Sequence, residues 1–124
     1  MCLTVDKEKF KIDIAQEDIV VYKVLIKEDK SVISPYKDFV YEIGKEYKTR
    51  MKTRFCRDYC EINEGFHSFL TLEDSLPERK FFSQGNISAC CYKCIIPKGT
   101  KVVYGEFGIY NAIVSEAIKI VEEL

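Results

Sequence analysis

The chain has 124 residues, 47% hydrophobic and 31% charged, with a formal net charge of −1. That is the composition of one folded domain, 1–124, which can bury a core without metal or disulfide staples. It excludes a disordered tail and a globally basic nucleic-acid binder, so any electrostatic partner must be met locally.

The opening MCLTVDKEKFKIDIAQEDI carries charges at Asp6, Lys7, Glu8, Lys9 and Lys11 before any apolar run reaches signal-peptide length. Nothing in the sequence approaches the roughly 20 apolar residues that cross a bilayer. The expectation is a cytoplasmic protein with no membrane segment, whose six cysteines are reduced. The alternation Phe10, Ile12, Ile14 is a weak sign of a lead-in strand. Ile19 to Lys27, IVVYKVLIK, is the strongest strand of the first half, because β-branched residues dominate and only Lys23 interrupts.

Glu28 to Ser31 reads as a turn and Ser34-Pro35 as another. DFVYEIGKEYKT, residues 38 to 49, has the form of a hairpin about Gly44-Lys45 with Phe39, Tyr41 and Ile43 on one face. Lys48, Arg50, Lys52 and Arg54 then fall at every second position, so in a continuous strand they share one side. Lys45 to Arg57 holds six cations against one acid, Glu46. With Tyr47 and Phe55 beside them, the four are candidates for contacting an anionic partner, either a nucleic acid or an acidic protein surface. A lysine-guarded sheet edge has the same pattern.

Glu64-Gly65-Phe66-His67 reads as a turn leading to a short helix, with Thr71 in a T-x-x-D capping arrangement. Pro77 either ends that helix or opens a second piece carrying Arg79 to Phe82. Gln84-Gly85-Asn86 reads as a loop. CCYKCIIPKGT follows, a central strand stopped by Pro97-Lys98-Gly99, with Cys90, Tyr92 and Cys94 on one face and Cys91 and Ile95 on the other, both buried. Lys101 to Tyr104 offers another strand. Near the C-terminus, Ile113, Ala117, Ile120 and Leu124 fit one helical face, while the β-branched neighbours fit an edge strand; periodicity leans to the helix.

Cys56, Cys60, Cys91 and Cys94 have spacings that suffice for structural zinc, but strand parity separates Cys91 from Cys94, and free cysteine is commonly buried as a small hydrophobe. A thiol nucleophile would need the single histidine, His67, and nothing near any cysteine lowers its pKa. His67 reads as a turn residue bonded to backbone or as a ligand contact. No Walker-type glycine frame surrounds Pro97-Lys98-Gly99-Thr100.

VYKVL (21 to 25), SPYKDFVYEIGKEY (34 to 47), GFHSFLTLEDSL (65 to 76) and CIIPKGTKVVYG (94 to 105) together resemble a family of small uncharacterised proteins from gut bacteria and their phages. The second half more distantly resembles ADP-ribosyltransferase domains. Gly65 to Ser68 matches their serine-bearing turn and Ile95 to Thr100 the strand end before the catalytic acid. That resemblance implies NAD as cofactor, Tyr22, His67 and Glu116 as candidate catalytic residues, and a C-terminal strand over Ala117 to Val121. Departures are Lys23 in place of a first-strand arginine and isolated Glu106 and Glu116 in place of an E-x-E pair. The reading as a whole is an α+β domain with a twisted mixed or antiparallel sheet of five to six strands and one or two short helices. Its expected role is a small non-enzymatic, phage-associated accessory protein binding an anionic partner, or alternatively an ADP-ribosyltransferase-like enzyme or its inactive descendant.

Overall fold

A computed structural model describes residues 3–28, 31–35, 39–84 and 88–124. Thirteen strands form one sheet: β1 Leu3–Asp6, β2 Asp13–Ile14, β3 Ile19–Glu28, β4 Ser31–Ile33, β5 Val40–Tyr41, β6 Glu46–Lys48, β7 Lys52–Phe55, β8 Tyr59–Glu64, β9 Phe66–Phe69, β10 Ala89–Ile96, β11 Lys101–Phe107, β12 Tyr110–Ser115 and β13 Ala117–Glu123. The one helix among the described residues, α1, spans Leu72–Phe82. Ten strands run in the order β6-β13-β10-β3-β9-β12-β11-β1-β8-β7, with β2, β4 and β5 attached beside this path.

The sheet curls into an antiparallel half-barrel, and chain connectivity requires the curl. The end strands β6 and β7 are separated by only residues 49 to 51. Nine gaps of about 4.8 Å would put the edges of a flat ten-strand sheet about 43 Å apart. The four residue steps from Lys48 to Lys52 span at most about 14 Å. The two edges must therefore approach each other there.

Glu116 fastens that approach. It lies between β12 and β13, its carbonyl accepts the Thr49 N–H at 2.9 Å, and its carboxylate accepts the Met51 N–H at 2.9 Å. One apolar cluster gathers Val21, Leu25, Cys94, Ile96, Ile113, Ile118 and Ile120. A second gathers Leu3, Ile62, Phe69, Val103, Phe107 and Val114. Val102 and Val103, like Ile113 and Val114, divide between the two, so β11 and β12 are buried on both faces.

α1 covers β3 and β10. Thr71 caps it by accepting the Asp74 N–H at 3.1 Å, as the T-x-x-D pattern implies. Ser75, fully buried, comes within 3.4 Å of the Cys91 sulfur, and Phe82 packs on Val24, Ala89 and Cys91. Pro77 sits inside this single helix and neither ends it nor starts a second one.

These elements correct the α+β expectation of five to six strands: the described residues are mostly β, with a ten-strand path and one helix. The expectation failed because many strands are two to four residues long and made of mixed polar residues, as in KTRF or FHSF, and are defined by ladder partners more than by their own pattern. The Gly44-Lys45 hairpin does not form. The chain turns there, but β5 pairs with β4 and β6 pairs with β13. The segment after Gly65 is strand β9, not a turn leading directly to helix.

The C-terminus is the strand β13, against the helical periodicity, because Ile118 and Ile120 are locked between β10 and β6. In β10 the expected parity holds, with Cys90, Tyr92 and Cys94 on one cluster and Cys91 under α1. Ile95 is only half-buried, so the second face is covered only in part. The middles of the turn at 28–31 and of the loop at 84–86 lie outside the described residues.

Candidate functional site

β3 and β9 are neighbours in the sheet but share a single register pair, Tyr22 with Phe69. Past that pair β3 continues through Lys23 and Val24, while β9 leads back through His67 and Phe66 to the bend at Gly65. The strands splay, and the splay opens a cavity of about 380 Å³. β5, the end of β6 and α1 close around it through Tyr41, Lys48 and Glu78.

Lys23 is the buried charge of this cavity, with 8% of its surface exposed. Strand alternation puts it on the same side as Val21 and Leu25, both fully buried. Its ammonium donates to the His67 carbonyl, bridging the splay, and lies 5.8 Å from the centre of the Tyr41 ring. Burial holds the ammonium below its usual pKa, opposed by the nearby Cys94 thiol and Glu78 carboxylate. Burial pushes the Cys94 thiol up to about 12, against the pull of Lys23. It also raises the Tyr41 phenol far above its usual range, with Cys94 and Tyr47 adding to the shift.

An aromatic wall stands opposite. Phe39 and Tyr41 are 4.7 Å apart between ring centres, Tyr41 and Tyr47 5.3 Å, and Phe39 and Phe66 6.1 Å. Phe69 and Phe107 continue it on the β9 side. A cavity of this size with mainly apolar walls and a few converging polar groups has the form of a small-ligand site.

Gly65 makes the bend possible. Its φ is +129°, and a Cβ there would sit 2.4 Å from a Val114 methyl carbon. His67 braces the same bend: its two ring nitrogens lie 3.0 Å from the Gly65 and Ile62 carbonyls, and the ring stacks on Phe107 at 5.5 Å. His67 thus combines the two roles its sequence position suggested, since it is bonded to backbone and also lines the cavity.

The other candidates are dispersed. Tyr22 is next to Lys23 on β3 and so faces the opposite side, and Glu116 is the edge fastening; neither lines the cavity. Tyr22, His67 and Glu116 do not form one group. The cation row is not one strand either. Lys48 ends β6 at the cavity and lies 3.7 Å from Glu46. Arg50 is exposed in the link. Lys52 and Arg54 belong to β7, where Lys52 meets Glu64 at 3.4 Å and Arg54 is in register with Glu61. The row breaks because Thr49 and Met51 are bound to Glu116 rather than continuing a ladder.

Cys56 and Cys60 lie at the β7–β8 turn, away from β10, and Cys91 and Cys94 face opposite sides of β10, so the four thiols do not converge. Among the described residues no three His, Cys, Asp or Glu side chains are grouped to hold a metal ion. None of the helices described is long and apolar enough to cross a membrane.

Comparison with protein-family models, curated proteins and solved structures finds no match. The sequence reading missed Lys23 and Glu78 as site residues. The signal for Lys23 was available, because a lysine in phase with Val21 and Leu25 on a strand takes a buried position.

Proposed function

We propose that the protein is a small non-enzymatic binding protein for a compact ligand with a flat apolar body and an anionic, oxygen-bearing head. The observation that carries this reading is a buried lysine at an aromatic-walled cavity of about 380 Å³. The body lies against Phe39, Tyr41 and Phe66, and the head meets Lys23 and Lys48. A charge-assisted bond to a buried ammonium is strong because water does not compete for it. An anionic partner was the expectation for Lys48, Arg50, Lys52 and Arg54. Splitting that row between two sheet edges, with carboxylates beside Lys48, Lys52 and Arg54, favours a small ligand at Lys48 over a long polyanion.

The test is an equilibrium titration with phenylacetate and, separately, with a single-stranded oligonucleotide. Expected are saturable phenylacetate binding that weakens in Tyr41→Ala and no saturable oligonucleotide binding. Oligonucleotide binding that weakens when Lys52 and Arg54 are replaced by glutamine, without phenylacetate binding, would replace this reading with the extended basic surface.

A further inference from the structure

We propose that the ligand of this cavity is a carbonyl compound, an arylpyruvate-like 2-oxo acid, and that Lys23 holds it as an imine. This rests on the small-ligand reading and names the ligand class.

Three observations support it. Lys23 is held by a neutral acceptor, the His67 carbonyl, and no carboxylate lies within ion-pair distance of it among the described residues, unlike Lys27, Lys48 and Lys52. An amine held this way sheds its proton at lower cost than one in an ion pair. Although buried, Lys23 is one of the residues that line the cavity, so its side chain borders the space a ligand would fill. A carboxylate, Glu78 of α1, lines the same cavity and can carry the protons that imine formation moves.

Among the described residues, the groups that face Lys23 or share its cavity are Cys94 of β10, Glu78 of α1, Tyr41 of β5, His67 of β9, Lys48 of β6 and Glu64 of β8. Burial favours the neutral amine, and Cys94 and Glu78 limit that effect.

The neutral Lys23 nitrogen attacks the ketone carbon, forming the C–N bond as the carbonyl π pair moves to oxygen. A proton passes from nitrogen to that oxygen to give the carbinolamine, and loss of water leaves the C=N bond. One amine and one ketone yield one imine and one water, with no change in oxidation state. The ligand's carboxylate lies toward Lys48 and its ring against Tyr41 and Phe66.

The experiment treats the intact protein with phenylpyruvate and sodium borohydride, whose hydride fixes the imine as a secondary amine, and maps the modified lysine by peptide mass spectrometry. Expected is an adduct on Lys23 formed several-fold faster than on the exposed Lys27 and Lys98. Phenylacetate, which has the ring and acid but no ketone, should suppress it without affecting adducts elsewhere. Adducts spread evenly over the lysines overturn the proposal.

Phenylacetate that shifts the amide resonances of Lys23, Tyr41 and Phe66, without any Lys23 adduct from phenylpyruvate, overturns the imine and leaves the binding reading intact. If phenylacetate causes no shifts and Lys23 gains no adduct, both fall. Lys23→Arg keeps a cation but has no amine for imine formation. If its circular dichroism matches the native protein, it should lose the adduct at position 23 while Lys27 and Lys98 react as before; should it fail to fold, the native peptide map decides.

Discussion

Lys23 is a buried amine, and its burial ties the stability of the protein to pH. Its folded-state pKa lies below the usual 10.5, so below that pH the unfolded chain holds more protons than the folded one. Stability then rises with pH as the cost of burying the ammonium is relieved. Urea unfolding over a pH series, compared with Lys23→Met, should therefore show wild type gaining on the variant as pH climbs toward 10.5. A pH-independent difference would mean that Lys23 is not protonated against a burial cost. Cys94 acts with opposite sign: its contribution is present below its usual 9.0 and is lost as pH rises toward about 12. Because Lys23 and Cys94 act on each other, the comparison is made in a Cys94→Ala background, which removes that loss from both proteins. Gly65 is the other decisive residue. Gly65→Ala should cost about 2–3 kcal/mol, combining positive-φ strain with overpacking against Val114, and a shift in denaturation midpoint at unchanged slope measures it.

Among the elements, those legible in the sequence were the ones that need no partner to be recognised. β3 and β10 are long β-branched or apolar runs, and Thr71 announces α1 through its own cap. The cations of β6 and β7 alternate as they would in one continuous strand. What the sequence did not reveal is that Glu116, more than sixty residues away, takes the Thr49 and Met51 amides and divides them. The candidate site was hidden for a related reason. A splay between β3 and β9 is a ladder that fails to continue, and no residue encodes that alone. Gly65 and the single in-phase Lys23 were its only local signs. Because the Glu116 carboxylate accepts the half-buried Met51 N–H, Glu116→Ala should destabilise by about 1–3 kcal/mol. Glu116→Gln, which keeps an acceptor oxygen, should lose less. Equal losses in chemical denaturation would show that this hydrogen bond contributes little to holding the sheet edges.

At the scale of the molecule, a ten-strand sheet whose ends are tied by three residues must curl, and within it the splay between β3 and β9 opens the cavity. It gathers β5 and β6, α1 and the splayed strands around one buried lysine, although these elements are scattered from residue 23 to residue 107. The proposed meeting of protein and ligand in this cavity is open to measurement. The most direct measurement is a backbone-amide NMR titration with phenylacetate. Expected are saturable shifts concentrated at Lys23, Tyr41, Phe66, His67 and Glu78, with β1 and β7 unmoved. Shifts confined to Lys52 and Arg54, or no saturable change at millimolar ligand, would contradict it.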